Sequence, residues 1–302
     1  MAEVSKGGHM AEHEASAEEL GAMSAPLEGE ASSVATASAG TSGPAAAIAC
    51  VVEDPGAAPG AAARLSHRLG VPLEHGLAQV DQGAAALLVD GQGVSLVRDG
   101  MRLKGDLERM ARRIRPDALG RELLVRAARI KGGSESLTAV DATAGLGEDA
   151  LLLAAAGFSV TLCERDPVIA ALLRDSLDRA AASTVLARAV ERMRLVEGDS
   201  VDVLHRLDAS PDVVLLDPMF PGGKRAAAKK KLQLIQTLEA PCDDEGQLVA
   251  AAMAAGPRKV VIKRPAKGPW LAGIEPDYSL CGKAVRYDCL VAPRYGRHRG
   301  AC

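Results

Sequence analysis

Aromatic residues are scarce in this 302-residue chain, with one Trp, three Tyr and two Phe making up 2% of the total. Core volume must therefore come from Leu, Val, Ile and Ala, which the 48% hydrophobic content supplies, and an aromatic residue in a loop stands out as a candidate ligand contact. Phe220 is such a residue. The six cysteines, Cys50, Cys163, Cys242, Cys281, Cys289 and Cys302, form no Cys-x-x-Cys pair and have no histidine at ligand spacing, so no metal site is expected. No segment approaches the ~18 uninterrupted apolar residues of a membrane span, and the acidic N-terminus has no basic stretch followed by an apolar run. The expectation is a cytoplasmic protein with no membrane partner.

Strong net charge is lacking too. The formal value is −3, which by itself argues against a generic nucleic-acid binder. The distribution is uneven, because residues 1–54 hold nine acidic residues against one lysine, and the remainder holds 35 basic against 30 acidic. Residues 1–45 are rich in Ala, Ser, Gly and Glu without helix or strand period, which predicts a disordered tail.

From residue 46 to 131 the pattern reads as a small N-terminal α/β lobe followed by basic helices. A strand is expected over 47–52, a helix over 60–69, and strands over 84–89 and 94–98 joined by Asp90-Gly91-Gln92-Gly93. Helices are expected over 103–115 and 119–130. Residues 98–131 carry eleven basic and five acidic residues, with Arg112 and Arg113 at their centre. A solvated helix face and a nucleic-acid contact fit this patch equally.

Residues 132–293 alternate strand and helix. Strands are expected over 137–141, 159–164, 193–196 and 212–217, with helices starting near Glu148, Pro167 and Val201; helices over 232–238 and 246–255 and strands over 259–263 and 284–291 follow. This is the rhythm of a parallel, doubly wound sheet. The last residues, 294–302, read as a basic end.

The chemistry concentrates around Val140-Asp141-Ala142-Thr143-Ala144-Gly145-Leu146-Gly147-Glu148-Asp149-Ala150. A buried strand, a turn through Gly145 and Gly147 and a helix start near Glu148 would present unpaired backbone N–H groups to a cofactor. The pattern is a loose Gly-x-Gly-x-x-Ala with an acid, Glu164, 19 positions after Gly145, so a dinucleotide and another nucleoside cofactor both fit.

Ligands of such sheets bind beyond the carboxyl ends of the strands, where Asp141, Glu164, Asp199 and Asp217 all fall. Glu164 is placed to accept from ribose hydroxyls, and Asp199 with Ser200 could hold an adenine edge. Asp217-Pro218-Met219-Phe220 follows the apolar run Val213-Val214-Leu215-Leu216, so a carboxylate and a ring emerge together at the cleft. That pair suits a reaction at the exocyclic amine of a nucleobase. Just beyond come Lys224, Arg225, Lys229, Lys230 and Lys231 with no acid among them, expected to clamp RNA phosphates; Lys263-Arg264-Pro265 would extend that surface.

Taken together, Asp141-Ala-Thr-Ala-Gly-Leu-Gly, Glu164-Arg165, Gly198-Asp199-Ser200 and Asp217-Pro-Met-Phe resemble the S-adenosylmethionine-dependent methyltransferases, specifically the bacterial small-subunit ribosomal RNA methyltransferase J family. Val260 to Pro265 and Arg286-Tyr287-Asp288 add to a likeness that spans residues 47–293. It implies a Rossmann-like class I methyltransferase sheet, S-adenosyl-L-methionine as cofactor, and methylation of a guanine N2 in 16S ribosomal RNA, free or in the small ribosomal subunit. It also implies cofactor contacts at Glu148, Asp149, Glu164, Arg165, Asp199, Ser200 and Asp217. One departure is that Arg112-Arg113-Ile114-Arg115-Pro116 stands where a glycine-rich basic segment follows the paired arginines in the family. A nicotinamide-dependent oxidoreductase and a noncatalytic RNA-binding protein on the same scaffold are the competing readings. Nothing in the sequence sets an oligomeric state.

Overall fold

A computed structural model describes residues 48–131, 136–218 and 244–291. The expected tail over 1–45, the helix over 232–238 and the basic end over 294–302 lie outside the described residues. The strands are β1 Cys50–Glu53, β2 Leu73–His75, β3 Ala86–Asp90, β4 Gly93–Arg98, β5 Met101–Leu103, β6 Thr138–Asp141, β7 Ser159–Glu164, β8 Met193–Glu197, β9 Val213–Leu216, β10 Lys259–Pro265, β11 Tyr278–Cys281 and β12 Val285–Val291. The α-helices are α1 Ala61–Leu69, α2 Pro116–Leu119, α3 Leu123–Ala128, α4 Glu148–Ala155, α5 Pro167–Ala181, α6 Ala187–Val190, α7 Ser200–His205 and α8 Glu245–Ala254.

Two sheets result. The first has the order β2-β1-β3-β4-β5 and the second the order β11-β12-β10-β9-β6-β7-β8. From β8 to β10 the second sheet is parallel, as the strand and helix rhythm predicts. β12 then pairs antiparallel with β10, from Lys259 opposite Val291 to Pro265 opposite Val285, and β11 pairs antiparallel with β12.

β9 shows why the centre is continuously apolar. Val213 and Leu215 face a core shared with α3 and α4, while Val214 and Leu216 face a core shared with α7 and α8. A strand covered on both faces needs apolar side chains at every position, because successive residues point to opposite sides. Its carboxyl end, and those of β6, β7 and β10, come out on one edge between the two helix layers.

α5 starts sharply because Pro167 needs no N–H partner at the first helical position and Asp166 caps it. Oδ1 of Asp166 accepts from the N–H groups of Val168 and Ile169, each at 2.9 Å. Val168, Ile169, Ala171 and Leu172 pack into the core of the first sheet, whereas Leu173, Leu177 and Ala180 pack into that of the second.

The expected helix over 103–115 is not formed. Met101–Leu103 is a strand paired with β4, a short 3-10 turn covers Glu108–Met110, and α2 and α3 are separate. Gly105 lies so close to α5 that a Cβ there would sit 2.9 Å from Cβ of Ser176 and 3.0 Å from the carbonyl oxygen of Leu172. Buried Leu107 and Met110 fix the chain behind it, and Pro116 allows only a new helix start. Tertiary packing thus outweighs local helix propensity. No helix among the described residues is long and apolar enough to cross a membrane.

Candidate active site

The carboxyl edge of the second sheet opens onto a cavity of about 800 Å³. Asp141 ends β6 almost fully buried and accepts from the Thr143 N–H at 3.2 Å. Thr143 Oγ1 in turn accepts the Asp217 N–H at 2.7 Å, tying the loop after β6 to the end of β9. Gly145 and Gly147 both take left-handed backbone, at φ 52° and 79°, where side chains are disfavoured. They serve different ends. A Cβ on Gly147 would meet Cδ1 of Leu173 at 2.7 Å, so this glycine lets the loop pack on α5; a Cβ on Gly145 would meet nothing within 4 Å. Gly145 leaves open space on the cavity wall, and Gly147 begins α4, whose first turn carries Glu148 and Asp149.

Glu164, at the end of β7, faces this loop. Its Oε2 accepts from the Gly145 N–H at 3.0 Å and its Oε1 from the Asp166 N–H at 2.9 Å. Burial pushes its carboxyl up to about 7 against the pull of those two bonds. Arg165 also lines the cavity. Asp199 caps α7 by accepting from the Val201 N–H at 2.8 Å, and it lines the cavity with Ser200.

On the remaining wall Lys263 of β10 joins two acids. Its Nζ lies 2.5 Å from Oδ2 of Asp149 and 2.8 Å from Oδ2 of Asp217. Burial holds the Asp217 carboxyl above its ordinary range, with Lys263 pulling the other way. Asp141 is pushed up to about 8 by burial and by the nearby charges of Asp149 and Asp217. Those carboxylates hold Lys263 protonated despite its burial.

The structure therefore brings together Asp141, Gly145, Gly147, Glu148, Asp149, Glu164, Arg165, Asp199, Ser200 and Asp217 around one cavity. Phe220, Lys224, Arg225, Lys229, Lys230 and Lys231 lie outside the described residues. Arg113 also lines the cavity, with its guanidinium gripping both oxygens of Glu122 at 2.7 and 2.8 Å. Arg112 is exposed, and Arg109 pairs with Glu148 at the start of α4. Lys263 and Arg264 do not extend a basic surface as their sequence position suggests. Lys263 is bound by two acids, and Arg264 is buried and donates from Nε to the Pro269 carbonyl at 3.1 Å.

Sequence reasoning missed Asp244, Gln247, Leu248, Val285 and Tyr287, which also line the cavity. For Asp244 a signal existed: Asp-x-x-Gln ahead of an apolar run is a helix-start pattern, and Oδ1 of Asp244 accepts from the Gln247 N–H at 2.7 Å. Tyr287 stood in the Arg286-Tyr287-Asp288 match without a role, since only the pairing of β12 with β10 sets it opposite Lys263.

The cavity lining carries eight acidic residues and four basic ones. Even with Asp141 neutral at its raised value, acids outnumber bases here, and such a field favours a cationic ligand over a pyrophosphate. The carboxylates also offer the acceptors that ribose hydroxyls and an adenine amine require. This donor set fits a sulfonium nucleoside better than a nicotinamide dinucleotide.

Residues 74–292 match the family model SAM_MT, described as "Putative SAM-dependent methyltransferase". Ribosomal RNA small subunit methyltransferase J of Alkalilimnicola ehrlichii is 43% identical over 79% of this chain and 93% of its own length. The chain belongs to the ribosomal RNA small subunit methyltransferase J family. The Thioalkalivibrio sulfidiphilus member is 42% identical over 68% of this chain and 84% of its own. Among solved structures, the SAM-dependent methyltransferase NGO1261 from Neisseria gonorrhoeae is similar over 83% of this chain and all of its own, at TM-score 0.65 and 29% identity. As a methyltransferase J family member the protein is an S-adenosylmethionine-dependent enzyme, and the oxidoreductase reading falls away.

Proposed function

We propose that this protein transfers a methyl group from S-adenosylmethionine to the N2 amino group of a guanine in 16S ribosomal RNA. The observation that carries the reading is the placement of Asp217 on the same cavity as the glycine loop, tied to that loop through Thr143 and to the first turn of α4 through Lys263 and Asp149. The names of the relatives support ribosomal RNA of the small subunit as the substrate.

In this reading Glu164 accepts from the ribose hydroxyls of the cofactor, and Asp199 with Ser200 holds the adenine. Asp141, Gly145, Gly147, Glu148, Asp149 and Arg165 shape the rest of its pocket. When bound, S-adenosylmethionine supplies an electrophilic methyl group on a sulfonium. A guanine amine is a weak nucleophile, so the work of the chain is placement. Asp217 accepts from the amine and turns its lone pair toward the pocket, in a site whose fixed carboxylates need no reorganisation during the reaction. Phe220 stacks on the base, and Arg112, Arg113, Lys224, Arg225, Lys229, Lys230 and Lys231 hold phosphates around it.

Incubating the protein with methyl-labelled cofactor and undermodified small subunits, naked 16S RNA or DNA tests this. Label in guanine of the RNA or of the subunit is expected. Label in DNA alone would refute the proposal.

A further inference from the structure

Lys263 is given no chemical role above beyond its tie to Asp217, yet it joins two acids of the cavity. Its side chain is only 25% exposed and its ammonium touches Oδ2 of Asp149 and Oδ2 of Asp217. Three elements meet there: Asp149 belongs to the first turn of α4, Asp217 follows β9, and Lys263 lies in β10, opposite Tyr287 of β12 and one residue beyond the last pairing with β9. An ammonium with three donors can serve two carboxylates at once. A half-buried charge with two partners is either structural glue or part of the site. Asp217 decides between these, since it is the acid assigned above to the reacting amine.

We infer that Lys263 is a positioning residue for methyl transfer: one ammonium group locks the Asp217 carboxylate to the first turn of α4, so the acid that orients the amine is held in register with the cofactor loop. This rests on the function proposed above. Without the ammonium, Asp217 loses its nearest cation and keeps Asp149 of α4 as a like-charged neighbour, beside the Asp141 carboxyl of β6, which burial already holds protonated. Arg264 of β10 acts on it at longer range, and Tyr287 of β12 faces the same cluster. Burial and the Asp149 charge then favour the protonated form of Asp217, which is a poorer acceptor, and its side chain is free to turn.

The test compares the full-length wild type with Lys263→Met and Lys263→Arg. The carboxyl carbon of Asp217, assigned with Asp217→Asn, is titrated by NMR without cofactor, alongside S-adenosylhomocysteine affinity and single-turnover transfer across pH on the RNA that the wild type accepts. In Lys263→Met the Asp217 midpoint should rise by about one unit or more. The transfer rate near neutral pH should fall roughly tenfold or more and recover in part at higher pH. Lys263→Arg should bring both readouts most of the way back, and the product affinity should change less than the rate. A Lys263→Met protein with wild-type titration and rate overturns the inference, and so does a rate loss equal at every pH with the Asp217 midpoint unmoved. If Lys263→Met does not fold, Lys263→Gln carries the same comparison, because it keeps a donor and removes the charge. A wild type that methylates no RNA would refute the proposed function while leaving the NMR titration to judge Lys263.

Discussion

Gly145 donates its backbone N–H to Oε2 of Glu164 across 3.0 Å, joining the loop after β6 to the end of β7. The acid that would hold the cofactor ribose therefore also holds the loop on which the cofactor would rest. Each of its two oxygens already accepts one backbone N–H, and an ionised carboxylate has further lone pairs for a ribose diol.

Replacing Glu164 by Ala should weaken S-adenosylmethionine binding by roughly 1–3 kcal/mol, since acceptors for buried hydroxyls and for the loop vanish together. Calorimetric titration with S-adenosylhomocysteine measures it. Unchanged affinity would remove Glu164 from the cofactor site.

The same carboxyl gives a pH dependence. With its value pushed up to about 7, Glu164 is neutral below that point, and the proton occupies a lone pair that the ribose would use. Product affinity should fall several-fold as pH drops from about 8 to 6, in keeping with the ~0.5–1.5 kcal/mol of one hydrogen bond. In Glu164→Gln, which does not titrate, affinity should vary less over that range.

Asp217→Ala should fail in a different way. Cofactor titration should show a small loss, while single-turnover transfer with bound RNA should slow by on the order of a hundredfold or more. A normal transfer rate in that variant would exclude Asp217 from catalysis.

Two glycine substitutions separate loop packing from ligand space. Gly147→Ala drives a methyl group into Leu173 at a positive φ and should cost about 2–4 kcal/mol of stability, combining backbone strain with overpacking. Gly145→Ala meets no protein atom within 4 Å, so its stability loss should stay near the ~1–2 kcal/mol of the backbone conformation alone. Its main effect should be on cofactor affinity. Urea denaturation beside calorimetry distinguishes the two, and equal destabilisation would refute the division.

Asp141 should make the cofactor-free protein less stable as pH rises. Its carboxyl titrates near 3.8 when unfolded and is pushed up to about 8 by folding, so the folded state binds more protons between those values. Stability from this group is complete below about pH 4 and is lost progressively up to about pH 8. Urea midpoints across that window should decline less steeply in Asp141→Asn than in the wild type.

How far the sequence foretold this arrangement depended on how local the cause was. β6, β7, β9 and the start of α4 were legible because apolar runs ending in Asp141, Glu164 and Asp217, and glycines at 145 and 147, act within a few residues. Asp166 and Pro167 marked α5 for the same reason. The stretch after β4 was misread as helix because what prevents one is Gly105 against Ser176, a contact made only once α5 is in place. Lys263 was misassigned likewise. Its neighbours in sequence, Arg264 and Pro265, suggest a basic surface, whereas its partners Asp149 and Asp217 arrive from elsewhere in the chain.

The two-sided burial of α5 has a mechanical consequence. Because Leu172 belongs to one core and its neighbour Leu173 to the other, the first sheet cannot swing about a hinge beside this helix without tearing apolar contacts on one side of it. The two sheets should melt in a single transition. Any adjustment to a large ligand then falls to the loops at the rim of the cavity, and the floor beneath them stays stiff.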